Sequence, residues 1–290
     1  MLMKQSVPVH KIILMNTEQK YWNAFLYDHP GLRLPESISV HHLSKREFDH
    51  GRTRREGVKK STSPIFVMMT QDALPADEHL IERLIKPLEQ GIAAVSYARQ
   101  LPRPQADLVE RFTRGFNYPE QSRLKSKEDI PNLGIKTCFC SNVCAAYKRD
   151  VYDALGGFVR HAIFNEDMIY ASAVIEHDYS IAYVAEAQVV HSHGYTNKQQ
   201  FKRNFDLGVS QADNPEVFEK LPSESEGIKL VKQTAAFLKE QGQTKKIIPM
   251  CITSGYKLIG YKLGKNYKKL SRKQIMKCTM NQEYFRQKGL

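Results

Sequence analysis

Short apolar runs separated by stretches of helical periodicity organise the first hundred residues. Lys11-Ile-Ile-Leu-Met-Asn16, Ile38-Ser-Val-His-His-Leu43, Ile65-Phe-Val-Met-Met69 and Ala93-Ala-Val-Ser-Tyr-Ala98 are the length of buried strands. Helical patterns fall between and after them, at about residues 53–61 and at residues 77–90. In the second, Leu80, Ile81, Leu84, Ile85 and Leu88 line one face. Apolar strands alternating with helices predict an α/β domain with a largely parallel sheet, because only a sheet covered on both faces needs strands apolar throughout.

Beyond residue 100 the pattern loosens into proline-rich and basic segments, Leu101-Pro-Arg-Pro104 and Asn117-Tyr-Pro119. Order resumes at Thr137-Cys-Phe-Cys-Ser-Asn142, at residues 151–157, and at a helix opened by Asn165-Glu-Asp167 that runs to about His177. Strands are predicted at residues 180–184 and 188–191, then a helix from Asn197 to about Val209. Leu221-Pro-Ser-Glu-Ser-Glu-Gly227 reads as a linker. Past it, Tyr256, Ile259, Leu263, Tyr267 and Leu270 step by three and four, with Lys257, Lys262, Lys265, Lys268 and Lys269 on other faces. That is the pattern of a basic amphipathic helix. The expected organisation is a domain over 1–220, a linker at 221–227 and a basic helical tail over 228–290.

Charge sharpens this division. The net charge of +12 is not spread over the chain: residues 228–290 hold 15 Lys/Arg against 2 acids, leaving 28 against 29 for the rest. The asymmetry predicts an anionic partner for the tail alone, and Lys interleaved with Tyr and Leu suits a membrane surface contacted through residues 255–290. A nucleic-acid partner is not expected, since the body is near neutral and carries no recognised binding motif. No window approaches the ~18 apolar residues of a spanning helix. The chain has 5 cysteines, an odd number with no secretion signal ahead of them, which predicts reduced thiols in a cytoplasmic setting. Cys138, Cys140 and Cys144 do not match the usual zinc spacings and are expected to be buried.

Three places could carry chemistry. Asp72, in Thr70-Gln-Asp-Ala-Leu-Pro75, follows the end of a strand, where ligands of open α/β sheets bind; a turn aspartate is the plainer reading. Glu166 and Asp167 open a helix behind Asn165 as N-cap, where the helix dipole favours a carboxylate, although simple capping prefers acids there too. His191 and His193 close a short strand, and alternation would place both on one side of the chain as metal ligands or as structural groups.

Taken in this order, these residues resemble the inverting family 2 glycosyltransferases with a GT-A fold, closest to bacterial rhamnosyltransferases. The resemblance rests on Glu47-Phe-Asp-His-Gly-Arg-Thr-Arg54 with Gly57, Thr70-Gln-Asp-Ala-Leu-Pro75, Tyr97-Ala-Arg-Gln-Leu-Pro-Arg-Pro104, Phe116-Asn-Tyr-Pro119, Ser141-Asn142, Leu155-Gly-Gly-Phe158, Phe164-Asn-Glu-Asp167 and Val190-His-Ser-His193. It spans roughly residues 5–212. It implies a Rossmann-like mixed sheet flanked by helices, and transfer of a sugar, L-rhamnose from dTDP-rhamnose, to a lipid-linked or growing polysaccharide acceptor.

By that resemblance Asp72 stands in the family's metal-binding "DXD" element, here Gln71-Asp72-Ala73 with one carboxylate. Mg²⁺ or Mn²⁺ would bridge it to the donor diphosphate, with His191 or His193 as a further ligand. Asp167 would be the general base, with Glu166 the alternative. Arg54, Gln71, Arg99 and Gln100 would contact the dTDP- or UDP-sugar, and Ser141 and Asn142, ahead of a helix-like segment, would face the acceptor.

The chain departs from the family in two places. The family's first strand, which lies inside the sheet and helps to bind the nucleotide base, is missing before Met1-Leu-Met-Lys-Gln5, so the domain is expected to be N-terminally incomplete. The Asp-rich end of the next strand is replaced by Asn16-Thr17-Glu18, which leaves the nucleotide open. The resemblance places an enzyme at the inner face of the cell membrane. The competing expectation is a non-catalytic binding protein of the same fold that has lost donor binding.

Overall fold

The computed structural model of the chain describes residues 1–221 and 224–289. Its strands are β1 (Ile12–Thr17), β2 (Ile38–Leu43), β3 (Ile65–Met69), β4 (Leu74–Pro75), β5 (Val95–Leu101), β6 (Arg123–Lys125), β7 (Cys144–Lys148) and β8 (Ile181–Val190). Through the body run helices α1 (Gln19–Asp28), α2 (His50–Lys59), α3 (Leu80–Glu89), α4 (Leu108–Asn117), α5 (Ile130–Leu133), α6 (Arg149–Ala154), α7 (Glu166–Glu176), α8 (Asn197–Asp213) and α9 (Pro215–Phe218). The tail adds α10 (Glu224–Glu240), α11 (Ile247–Lys265), α12 (Arg272–Cys278) and α13 (Gln282–Gln287).

The main sheet runs β3-β7-β5-β8-β4, with β6 beside β8. It is mixed: β7 is antiparallel to both β3 and β5, whereas β5 and β8 are parallel. The carboxyl ends of β3, β5 and β8 therefore share one edge with the start of β7. Alternation along the strands feeds two cores. Phe66, Ala145 and Tyr147 face an aromatic layer with Phe158 and Tyr170, while Val67, Cys144 and Ala146 face Leu80, Leu84 and Leu88 of α3. β1 and β2 form a separate parallel pair, and among the described residues β1 and β3 each keep one unpaired edge.

Several expectations need correction. A strand, β7, follows Ser141-Asn142 where a helix-like segment was expected. The strands expected at 180–184 and 188–191 are one, with an irregularity that shifts its register against β5 between Ala98 and Arg99. Helices α1 and α4 had not been expected. Neither fully buries a residue, although Trp22, Phe25 and Leu26 on α1 and Leu108, Val109, Phe112 and Phe116 on α4 fall at helical spacing, the latter on a helix that packs against α10. Of the expected linker, residues 222–223 lie outside the described residues, and helix begins at Glu224.

The tail is also reorganised. The expected single stripe is broken, since α11 ends at Lys265 and Tyr267–Lys269 is a 3-10 turn. α11 packs along α8, and the contact is made by glycines. A Cβ at Gly264 would lie 2.0 Å from the Phe205 carbonyl oxygen, at Gly260 2.2 Å from that of Phe201, and at Gly208 2.3 Å from that of Tyr261. Backbone meets backbone there, so the stripe of α11 that is buried is Met250, Gly260, Tyr261 and Gly264, and Tyr256 and Ile259 are left outside.

The last elements fold back on the body. Asp213 accepts from Tyr267 Oη at 2.6 Å and Tyr284 Oη at 2.8 Å and pairs with Lys288. Tyr284 and Phe285 join Phe205 and Val209 of α8 around Ile163.

Candidate active site

Asp72 lies beyond the end of β3, and His191 and His193 follow β8, the strand beside β5. This topology brings His191 Nε2 and His193 Nε2 each to 3.5 Å from Asp72 Oδ2. One potential ligand atom from each residue falls within 4.8 Å of the others. One carboxylate oxygen and two imidazole nitrogens are a donor set that suits Mn²⁺ and, less well, the strictly oxygen-preferring Mg²⁺. Burial, with Arg114 and His193 near by, pushes the His191 pKa down to about 4, so near neutral pH the ring is uncharged and has a lone pair to offer.

The acid pair sits on the same edge, reached through hydrogen bonds. Gln100 at the end of β5 donates to Ser141 Oγ at 3.0 Å. The next residue, Asn142, gives its backbone N–H to Asp167 Oδ2 at 2.9 Å and its side-chain Nδ2 to Glu166 Oε1 at 2.9 Å. Its own Oδ1 accepts from Tyr147 Oη at 2.7 Å. Asn142, expected to face an acceptor, is thus 2% exposed with both ends of its amide engaged, and it orients the two acids. Asn165 precedes them with φ of 62° and makes no side-chain cap. It takes the left-handed conformation that asparagine tolerates better than most residues. Ser210 of α8 holds it there, donating to Phe164 O at 2.6 Å and accepting from Asn165 Nδ2 at 3.3 Å.

The neighbours of the two acids differ. For Glu166, burial works to raise the pKa, but Arg54 at 3.1 Å, His50 and the Asn142 amide outweigh it and leave the value lowered. For Asp167, burial and then the charge on Glu166 push the pKa up to about 7. Two adjacent carboxyls whose environments drive them apart divide into a permanent anion and a proton acceptor poised near neutrality.

Arg54 reaches Glu166 because α2 is bolted to the loop before α7. Asp49 caps α2 by accepting from Arg52 N at 2.9 Å, and the same carboxylate takes the Ala162 N–H and pairs with His161 at 2.7 Å. A Cβ at Gly51 would stand 2.0 Å from Val159 O, so this approach requires glycine.

The remaining expected contacts are placed differently from one another. Arg99 is paired with Glu120 at 2.9 Å, Gln71 is exposed beside Asp72, and Gln100 is 3% exposed behind His191. Cys138, Cys140 and Cys144 are buried free thiols.

Sequence reasoning missed Arg203. Its guanidinium lies over Phe164 at 4.6 Å and Tyr195 at 5.5 Å, and Tyr195 stacks on His193 with ring centres 4.8 Å apart. Its charge reaches His50, His191 and His193, opposing their protonation. An arginine closely following His191-Ser-His193 in sequence was the only available signal.

A family model, Glycosyl transferase family 2, matches residues 24–156. The O-antigen chain rhamnosyltransferase WbaN of Salmonella anatum is 39% identical over 246 residues, 84% of this chain and 78% of that protein. The O-antigen chain rhamnosyltransferase RfbN of Salmonella typhimurium LT2 is 37% identical over 253 residues, 86% of this chain and 80% of that protein. Among solved structures, the mannosyltransferase PcManGT from Pyrobaculum calidifontis, in complex with GDP-Man and Mn²⁺, superposes with a TM-score of 0.55 at 14% identity, covering 92% of this chain and 81% of the other. At that identity the likeness shows the fold, which is GT-A.

Proposed function

This chain belongs to glycosyl transferase family 2, and from that premise we propose that it transfers L-rhamnose from dTDP-rhamnose, with inversion, to a lipid-linked or growing polysaccharide acceptor. The observation that carries the reading is the split of the acid pair, because it supplies a base of suitable pKa beside an anion that stays charged. Asp167 takes the proton of the acceptor hydroxyl as that oxygen bonds to the anomeric carbon. The bond from that carbon to the diphosphate oxygen breaks on the opposite face. Glu166, tied to Arg54 and Asn142, keeps Asp167 basic and fixes its direction.

Asp72, His191 and His193 would hold a divalent cation, preferentially Mn²⁺ for their mixed donor set, and when bound it would offset charge on the donor diphosphate. Arg203, for which no carboxylate lies within 4 Å among the described residues, is stationed to stabilise the same leaving group. The relatives being rhamnosyltransferases of O-antigen chains supports rhamnose and a polysaccharide acceptor. Incubation with dTDP-rhamnose, Mn²⁺ and a lipid-linked glycan should release dTDP and yield a glycan with inverted anomeric configuration, read by NMR. Release of dTDP without any glycosylated product would reject the acceptor class, and no turnover of any dTDP- or UDP-sugar would reject the enzyme in favour of a binding protein.

The reading places the enzyme at the inner face of the membrane through its tail. No helix among the described residues is long and apolar enough to cross a bilayer. A surface contact is supported by the outer face of α11, where Ile248, Ile252, Tyr256 and Ile259 are exposed at helical spacing with Lys245 and Lys262 flanking them. Vesicles containing about 30% anionic lipid should co-sediment the chain at low salt and release it as salt rises. Ile252→Glu with Ile259→Glu should abolish co-sedimentation; unchanged binding would remove α11 from the contact.

A further inference from the structure

Behind the Asp72, His191 and His193 cluster stand two side chains that the sugar-transfer reading leaves without a role. The amide of Gln100 is buried, and its Oε1 accepts from an Nη of Arg114 and lies 2.9 Å from His191 Nδ1. Its Nε2 lies 2.5 Å from Tyr118 Oη and 3.0 Å from Ser141 Oγ. A guanidinium has donors and no acceptor, so the amide must turn its oxygen to Arg114; the flipped amide would set an NH₂ against an N–H. That oxygen also faces His191 Nδ1, and such a contact is a hydrogen bond only if Nδ1 carries the ring proton. The other Nη of Arg114 is 3.4 Å from Nδ1, too long to displace the 2.9 Å contact.

A neutral imidazole with its proton on Nδ1 has a bare Nε2. Nε2 is the atom 3.5 Å from Asp72 Oδ2. Two acceptors then face each other with no hydrogen between them, an arrangement that a cation relieves.

We propose that Arg114 and Gln100 are positioning residues that lock the tautomer of His191 and thereby keep the Asp72, His191 and His193 cluster open to a divalent cation. Without the lock the proton can move to Nε2 and close the site by donating to Asp72. The inference rests on the metal reading of this cluster and adds the requirement that residues remote from the ion set its affinity, as partners of ligating histidines commonly do.

The test uses the full chain and two readouts. Two-bond ¹H–¹⁵N spectra report the His191 tautomer in metal-free protein, and electron paramagnetic resonance titration reports Mn²⁺ affinity at fixed pH. The wild type should show the proton on Nδ1. Gln100→Leu should shift it toward Nε2 and weaken Mn²⁺ binding about 10- to 100-fold. Gln100→Glu keeps an acceptor toward both Arg114 and His191 and should retain the Nδ1 proton; its movement to Nε2 in a folded Gln100→Glu would overturn the proposal even if Gln100→Leu does not fold. A wild-type proton on Nε2, or a folded Gln100→Leu with unchanged tautomer and affinity, would overturn the proposal. Failure of the wild type to bind Mn²⁺ alongside a proton on Nδ1 would instead overturn the metal reading and leave the lock standing.

Discussion

Asp167→Asn is expected to lower kcat by about 10² to 10⁴-fold, the range over which general bases contribute, while donor binding persists. The substitution preserves shape and removes the proton acceptor. It also places an NH₂ against one of the two backbone N–H groups, of Asn142 and Met168, that the carboxylate now satisfies. Some loss of order at the start of α7 should therefore accompany it, visible in thermal melts. Glu166→Gln should act differently: it leaves the base in place, removes the neighbouring charge that helps hold Asp167 near 7, and strands Arg54.

The pH dependence follows from the same pair. As the proposed base Asp167 would work deprotonated, so kcat/KM in the wild type should rise with pH through about 7 and level off above it. The stability sign is opposite. A carboxyl whose folded pKa is raised favours the native state while protonated, so its contribution is fully present below the ordinary aspartate range and is lost as pH rises through about 7. The chain should become more active and less stable across that interval. A flat rate profile between pH 6 and pH 8 (about one unit either side of 7) would argue that Asp167 is not the base.

Asp72→Asn is expected to weaken Mn²⁺-dependent binding of dTDP or UDP by more than about a hundredfold, roughly 2.8 kcal/mol. Asparagine keeps an oxygen at the site and loses the only negative charge in the cluster, leaving two neutral imidazoles facing a dication. Calorimetry with and without Mn²⁺ separates the two contributions. The metal-independent part, from groups such as Arg203, should survive the substitution. If the variant binds nucleotide as well as the wild type in Mn²⁺, the donor diphosphate is held elsewhere.

Much of this site could be read along the chain because the chemistry lies at strand and helix ends. Asp72 after Ile65–Met69, Glu166-Asp167 at the start of α7 and His191 with His193 after β8 are local facts: an apolar run stops and a titratable residue follows. The strands themselves were legible for the same reason, and β2 has the expected bounds. Asn142 and Gln100 were visible as residues and not as orienting groups. Each acts on a partner distant in sequence, Asn142 on the acids 24 and 25 residues away and Gln100 on His191 91 residues away. The tail misled by its own pattern. Counting large apolar side chains selected Tyr256 and Ile259, but helix packing selected the glycines, whose value is the side chain they lack.

Sequence by itself determined the α/β class, the family, the candidate acids and histidines, and the concentration of positive charge beyond residue 228, all properties of residue type and short-range order. Only the tertiary structure distinguishes the two acids, since Glu166 and Asp167 are equivalent in the first turn of a helix until Arg54 arrives beside one of them. It alone decided that Asp72 and two histidines more than a hundred residues away converge on one point, that Arg203 stands over the site, and that the tail is built onto α8. The physical reason is common to all of these: pKa, ligation and burial depend on charges and atoms within a few ångströms, and across a mixed sheet those neighbours come from segments that the chain keeps far apart.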